Sequence, residues 1–242
     1  LEAASEGTDT VQSSISYTLT ANVENLLLTG TSNINGTGNA LNNLLTGNSA
    51  ANTLSGDVGD DTYVVDNAGD VVTEASGGGT DTVQSVISYA LTANVENLLL
   101  TGISNINGTG NDLANIITGN EGNNTIDGGA GADNLAGGAG DDTLNGDAGN
   151  DTIYGDAGND VIHGNEGDDW LYGRSQQGEI TGSDEDEIHG DADNDHIFGG
   201  LQQEVLYGGA GDDIIHGDQD NDTIYGDAGN DTLYGDVGAD II

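Results

Sequence analysis

The chain of 242 residues has no cysteine, no proline and no methionine, and its only lysine or arginine is Arg174. Without cysteine it can form no disulfide, thiolate zinc site or iron–sulfur cluster. Against that one base stand 43 acidic side chains, for a formal charge of −42. Phosphate recognition needs Lys and Arg, so nucleic acid is excluded as a partner. Anionic membrane surfaces are excluded by the same sign. No run approaches the roughly 18 apolar residues of a spanning helix, which argues against membrane insertion. A chain this acidic and only 34% hydrophobic would ordinarily read as disordered. Leu1 and Ile242 read as cuts within a longer polypeptide, and no signal peptide is visible.

What is present is a nine-residue sentence. From Gly119 the chain reads GNEGNNTID, GGAGADNLA, GGAGDDTLN, GDAGNDTIY, GDAGNDVIH and GNEGDDWLY. After an irregular patch, GDADNDHIF, GGLQQEVLY, GGAGDDIIH, GDQDNDTIY, GDAGNDTLY and GDVGADII follow. The template is G-[GDN]-x-G-[ND]-D-x-U-x, with U being Ile or Leu. A short fixed period means one unit stacked on copies of itself. Position 8 is apolar throughout, at Ile126, Leu135, Leu144, Ile153, Ile162, Leu171, Ile180, Ile188, Ile197, Leu206, Ile215, Ile224, Leu233 and Ile242. One inward residue between two outward ones makes a three-residue strand, and the glycine-rich remainder makes the turn. Two nonapeptides close one coil, and successive coils pair in parallel. The expected fold is all-β, a right-handed parallel β-roll (β-solenoid) of stacked 18-residue coils.

A longer repeat lies upstream. TDTVQSSISYTLTANVENLLLTG begins at Thr8, and TDTVQSVISYALTANVENLLLTG begins at Thr80. VQSSISYTL alternates with period 2, placing Val11, Ser13, Ile15, Tyr17 and Leu19 on one face of a single strand. Val64–Val65 and Val71–Val72 are short β-prone runs around DNAGD. The expected organisation is a first β module over 1–73, with nonapeptides at 47–64, a second copy over 74–118, and the roll over 119–242 with its irregular patch at 173–189.

Each coil buries only two Ile or Leu side chains, too little to offset the ordering of its residues. Position 6 points to the missing contribution. It is acidic at Asp61, Asp133, Asp142, Asp151, Asp160, Asp169, Asp186, Asp195, Asp213, Asp222, Asp231 and Asp240. Stacked in columns these carboxylates repel, unless a cation lies between coils. Carboxylates and turn carbonyls together offer the oxygen shell that calcium takes and magnesium fits less well. Several Ca2+ ions are therefore expected, held by those twelve aspartates, with the calcium-free chain largely unfolded. Zinc would want nitrogen or sulfur, and the four His are scattered along the sequence.

The array resembles the calcium-binding β-roll of the RTX (repeats-in-toxin) family, strongly from Gly119 to Ile242 and briefly from Gly47 to Val64. The segments DDTYVVDNAGDVVTEA and TANVENLLLTG resemble upstream modules of large secreted RTX proteins. The resemblance implies type I secretion and folding outside the cell on meeting calcium, so a secreted or bacterial cell-surface location.

Two features interrupt the template. GRSQQGEIT has Gly178 at position 6, the following GSDEDEIH is one residue short, and GGLQQEVLY has Glu204 there, so calcium sites are expected to be missing on that side. Arg174 at the first break either pairs with acids of adjacent coils, Asp156 and Asp191 being the candidates, or is a solvated surface residue. Position 9 carries Tyr154, His163, Tyr172, Thr181, His189, Phe198, Tyr207, His216, Tyr225 and Tyr234, outward rings that either stiffen the sheet or form a docking face. No HExxH and no GxSxG occurs, and no catalytic set can be placed, so the chain does not read as an enzyme. The expected role is a calcium-stapled stalk, adhesin or surface-matrix module, with other copies of the chain and surface glycans as further candidate partners. The alternative is a secretion and folding appendage of an exported hydrolase, a protease or lipase. An ice-binding roll ranks last, because GTGN recurs only at Gly36 and Gly108.

Overall fold

The computed structural model describes residues 7–174 and 184–242. These residues contain β-strands, turns and no helix, so none crosses a membrane as a helix. The chain divides into two compact units, Leu1–Thr101 and Gly102–Ile242.

In the downstream unit, the strands Ile116–Thr118, Asn134–Ala139, Thr152–Ala157, Trp170–Tyr172, His196–Gly200, Ile214–Asp218 and Thr232–Tyr234 stack in parallel in one sheet. Gly108–Thr109, Thr125–Ala130, Thr143–Ala148, Val161–Glu166, Glu187–Ala192, Val205–Ala210 and Thr223–Ala228 stack in the other. Alternate nonapeptides thus go to opposite sheets, and the side chains between them are the position-8 residues. Ile126, Leu135, Leu144, Ile153, Ile162, Leu171, Ile188, Ile197, Leu206 and Ile215 are each 0% exposed. The core is therefore two aliphatic columns, one contributed by each sheet. This is the parallel β-solenoid that the period-nine pattern predicts.

The full array strands run six residues, not three, from position 7 through position 3 of the next unit. Pairing continues past the glycine, with Asp127 opposite Asn145 and then Gly129 opposite Asp147. The backbone manages this by turning left-handed at position 2. Its φ is 100° at Gly129, 70° at Asp147, 75° at Asp156, 75° at Asn165 and 74° at Asp191. Only Gly, Asn and Asp take that conformation readily, and this explains the [GDN] choice in the template.

Register explains the irregular patch. Ile162 pairs directly with Ile188 and Leu171 with Ile197. The sequence step there is 26, as in the hydrogen bonds that cross the patch, where the array otherwise steps by 18. The two broken units read from the sequence therefore act as one enlarged repeat. Gly173 opens it as position 1, and Asp186 closes against it, since a Cβ on Gly173 would run into Asp186 Oδ2. The expectation that this unit loses its acid at Gly178 is corrected. Gly178, Ile180 and Thr181 lie outside the described residues, and both columns close from one flank of the patch to the other.

The outward rings at position 9 stack along each sheet. Tyr154, Tyr172, Phe198, His216 and Tyr234 follow one another with centroid spacings of 4.9, 5.0, 5.3 and 4.5 Å. His163, His189, Tyr207 and Tyr225 do the same at 4.6, 4.5 and 5.0 Å. Such stacking adds to sheet cohesion beyond area burial.

The upstream unit is built from the same parallel logic with irregular steps. Thr10–Ser13, Asn25–Leu28, Leu44–Thr46, Thr62–Val65, Thr82–Ser85 and Asn97–Leu100 form one sheet, and Tyr17–Thr18, Gly36–Thr37, Thr53–Ser55 and Val71–Val72 another. The single strand read from VQSSISYTL is in fact two, Thr10–Ser13 and Tyr17–Thr18, in different sheets. The Ser13 hydroxyl donates to the Ile15 carbonyl at 2.7 Å and accepts the Ile15 N–H at 3.3 Å, which bends the chain round a corner and leaves Ile15 exposed.

If Ile188 carries the column, Ile188→Ala should cost about 2–5 kcal/mol. Urea unfolding of the calcium-saturated chain reads this value, and a cost within about 0.5 kcal/mol, as for a surface residue, would overturn this register.

Candidate metal centre

The acid of position 6 sits at the corner where turn meets strand, and its two oxygens have different fates. Oδ1 accepts the backbone N–H of position 6 in the preceding coil. Asp133 N–H donates to Asp151 at 2.8 Å, Asp142 to Asp160 at 2.8 Å, Asp151 to Asp169 at 2.8 Å and Asp195 to Asp213 at 2.9 Å. The ladder crosses the irregular patch, from Asp160 N–H to Asp186 and from Asp169 N–H to Asp195, both at 2.9 Å. Oδ2 is buried without a hydrogen-bond partner in Asp61, Asp133, Asp142, Asp151, Asp160, Asp169, Asp186, Asp195, Asp213 and Asp222. Asp231 and Asp240 accept the N–H groups of Asp213 and Asp222 at 3.2 Å and are only half-buried.

Oδ2 hangs over position 1 of its own unit. A Cβ on Gly146 would run into Asp151 Oδ2 and come within 2.7 Å of the Gly164 carbonyl oxygen of the next coil. The same holds at Gly128, with Asp133 Oδ2 at 2.6 Å and the Gly146 carbonyl at 2.7 Å. Glycine at position 1 therefore leaves room for a carboxylate oxygen and a carbonyl oxygen to converge. Unpaired buried acceptors are costly, and these are all hard oxygens with no protein donor. The donor set fits calcium.

Two further position-6 residues behave differently. In Asn52 the amide oxygen accepts the Asn48 N–H at 2.7 Å, and the amide nitrogen donates to the Ile34 carbonyl at 2.6 Å. Asn124 repeats this with Asn120 and with the Ile106 carbonyl. Asparagine turns are thus closed by protein groups alone, whereas aspartate turns keep an orphan oxygen. Glu204 is a third variant. Its Oε1 accepts Gln202 N–H at 3.2 Å within its own turn, while Oε2 is buried and unpaired. Sequence reading also missed position 5, whose side chains form a second ladder. Asp212 Oδ1 takes the Asn230 N–H at 2.9 Å, and Asn194 Oδ1 takes that of Asp212 at 2.8 Å. The [ND] preference at position 5 was the signal for it.

Arg174 stands next to Gly200 and Leu201, at the mouth of the irregular patch. Burial pushes the Asp184 carboxyl up, and the Arg174 charge works against that. Of the two acids that the sequence offers as candidates for Arg174, Asp156 and Asp191, the latter lies between Asn165 and Gly209 in its sheet, and its Oδ2 meets His163 Nδ1 at 3.0 Å. The imidazoles scattered in sequence are also partly gathered, His163 stacking on His189 beside Asp191.

Burial, reinforced by neighbouring acids, raises the position-6 carboxyls against the lowering effect of the N–H ladder. Asp133 and Asp169 are pushed up to about 6, and Asp142, Asp151 and Asp160 to about 7. A carboxyl raised in the folded state holds protons that the unfolded chain has released. Between its ordinary value of 3.8 and about 7, folding without metal is thus favoured by acid and weakened as pH rises. Metal-depleted chain should gain far-UV β signal when taken from pH 7.5 to 4. With calcium present, the midpoint should move to higher calcium as pH falls from 7 to 5, because protons compete for the same oxygens. A calcium-free chain that loses β signal on acidification would contradict this assignment.

Comparison with known proteins agrees with this geometry. The RTX calcium-binding nonapeptide repeat (4 copies) matches residues 37–72, 109–144, 145–178, 180–206 and 207–242. A stretch of 66 residues, 27% of this chain, is 41% identical to the endo-1,3-1,4-beta-glycanase EglC of Rhizobium meliloti (strain 1021). That stretch is 14% of the enzyme's length. The nonapeptide match spans more than half of the chain, and such repeats bind Ca2+; the chain belongs to the RTX calcium-binding nonapeptide repeat family.

Proposed function

We propose that this chain is the calcium-stapled, non-catalytic part of a secreted or cell-surface protein, which folds on meeting extracellular calcium and then acts as a stalk, adhesin or surface-matrix module. The observation that carries this reading is the row of buried, unpartnered carboxylate oxygens over position 1. In this reading Asp133, Asp142, Asp151, Asp160, Asp169, Asp186, Asp195, Asp213 and Asp222 hold the ions in two columns, Asp61 holds one in the upstream unit, and Asp231 and Asp240 continue the columns. Glu204 keeps a carboxylate oxygen in the same column. Export by a type I route suits a chain that stays extended while it lacks calcium, because 43 acids face one base. The stacked rings on both sheets give the module outward surfaces for glycans or for further copies of the chain.

One observation favours a second reading, an appendage of an exported hydrolase. The relative EglC is a glycanase, and only a small part of its length resembles this chain. Under that reading the roll serves secretion and folding, while catalysis belongs to another domain of the parent protein.

Far-UV circular dichroism should show little β signal in excess chelator. A cooperative gain is expected with a midpoint on the order of 10⁻⁴–10⁻³ M calcium, and the same concentrations of magnesium should not reproduce it. Asp151→Asn, which removes one Oδ2 from the middle of a column, should raise the midpoint while leaving the saturated spectrum unchanged. A full β signal in chelator at pH 7.5 would sink the metal-stapled reading.

A further inference from the structure

Outside the nonapeptide array, three buried carboxylates meet in the upstream unit. Asp61 is 1% exposed, Glu74 7% and Asp81 0%, and each offers an oxygen within 4.8 Å of the other two. The bonding of the two aspartates is only half complete. Asp61 Oδ1 accepts the Asn43 N–H at 2.6 Å and Asp81 Oδ1 the Asp61 N–H at 2.8 Å, while Glu74 takes the Gly56 N–H on Oε1 at 3.1 Å and the Ala75 N–H on Oε2 at 3.2 Å. Asp61 Oδ2, Asp81 Oδ2 and the Tyr63 hydroxyl are buried with no hydrogen-bond partner. Two glycines keep the space open. A Cβ on Gly56 would run into Asp61 Oδ2 and the Tyr63 hydroxyl, and one on Gly78 would approach Glu74 Oε2 at 2.9 Å and the Asp57 carbonyl at 3.0 Å.

No side chain of the unit can neutralise this group. Residues 1–101 contain no lysine, no arginine and no histidine. Three carboxylates in one buried site, two of them with an unpaired oxygen and none with a cationic neighbour in the unit, call for a cation from outside. All the donors are oxygen, which selects a hard ion, and the ligand charge exceeds that of a single array aspartate.

We propose that Asp61, Glu74 and Asp81 form a separate Ca2+ site, distinct from the columns of the array and the tightest in the chain. It rests on the calcium reading above but uses two residues outside the nonapeptide. Its position gives it a task. Asp61 belongs to GDVGDDTYV, Glu74 to the stretch that follows, and Asp81 to TDTVQS, the opening of the second long repeat. The strands Thr62–Val65 and Thr82–Ser85, which follow Asp61 and Asp81, are direct neighbours. The ion therefore ties the end of one long repeat to the start of the next. The first copy carries Glu2 and Asp9 at the places in sequence equivalent to Glu74 and Asp81.

Calorimetric titration of the full chain with CaCl2 tests this. Glu74→Gln and Asp81→Asn should each remove one tightly bound Ca2+ or weaken it at least tenfold, with the β signal at saturating calcium intact. Asp151→Asn should leave that tight phase untouched and reduce only the weaker one. Should a variant not fold, terbium luminescence of the unmodified chain supplies the second measurement. Its first equivalent should be sensitised through Tyr63, and Tyr63→Phe should dim that emission more than twofold. Folded Glu74→Gln and Asp81→Asn variants with an unchanged tight phase would overturn the junction site, as would terbium emission indifferent to Tyr63→Phe. If the unmodified chain binds no calcium at all, the broader reading fails and takes this one with it.

Discussion

Everything in this molecule depends on a charge it cannot neutralise alone. From Asp133 to Asp222 the aspartate turns of the array bury a carboxylate whose Oδ1 is held by the N–H ladder and whose Oδ2 has no protein partner. The sequence supplies one arginine for 43 acids, so these oxygens face either protons or a metal ion. Burial raises these carboxyls most at Asp195, Asp186 and Glu204, to about 8, 9 and 10, so protons compete hardest for those oxygens. The repeats bind Ca2+, and the oxygens of the column are the hard donors that suit it. The absence of a side chain at position 1, the left-handed backbone at position 2 and the extended strand beyond it all serve to bring oxygens together at one corner.

Two columns share the labour. The aliphatic column excludes water and is uniform, because a thin core tolerates no gap. The polar column is chemically variable. Aspartate leaves an acceptor for a cation, asparagine supplies its own donor, and glutamate bonds back within its turn. The same backbone corner thus takes a form with an orphan oxygen and a form closed by protein groups, chosen by one functional group. Asn52 and Asn124 show that the amide form needs nothing from solution.

Much of this was legible in the sequence. A strict period of nine with one apolar position gives a parallel solenoid whatever the other residues are, and Ile126 to Ile224 stand where that period puts them. The acids of position 6 are legible for the same reason. Three things were not. The strand continuing through Gly128 depends on a backbone dihedral at Gly129, which a one-letter template shows only as a [GDN] preference. The bend at Ser13 depends on a hydroxyl folding onto its own backbone, a local choice that overrides the alternation of VQSSISYTL. The convergence of Glu74 and Asp81 on Asp61 is a tertiary event between separate turns, with no fixed spacing to announce it. The irregular patch misleads for another reason. Counting by nines assumes that every glycine opens a unit, whereas the chain keeps faith with columns.

That last point bears on size. The level from Ile162 to Ile188 takes up more chain than the level from Leu144 to Ile162, yet each adds one strand to the same stack. Contour length is therefore a poor ruler for the downstream unit, and the count of paired strands is a good one. Residues per level and axial reach are independent variables in such a scaffold, so a level can hold more or less chain while the strands on either side of it stay paired.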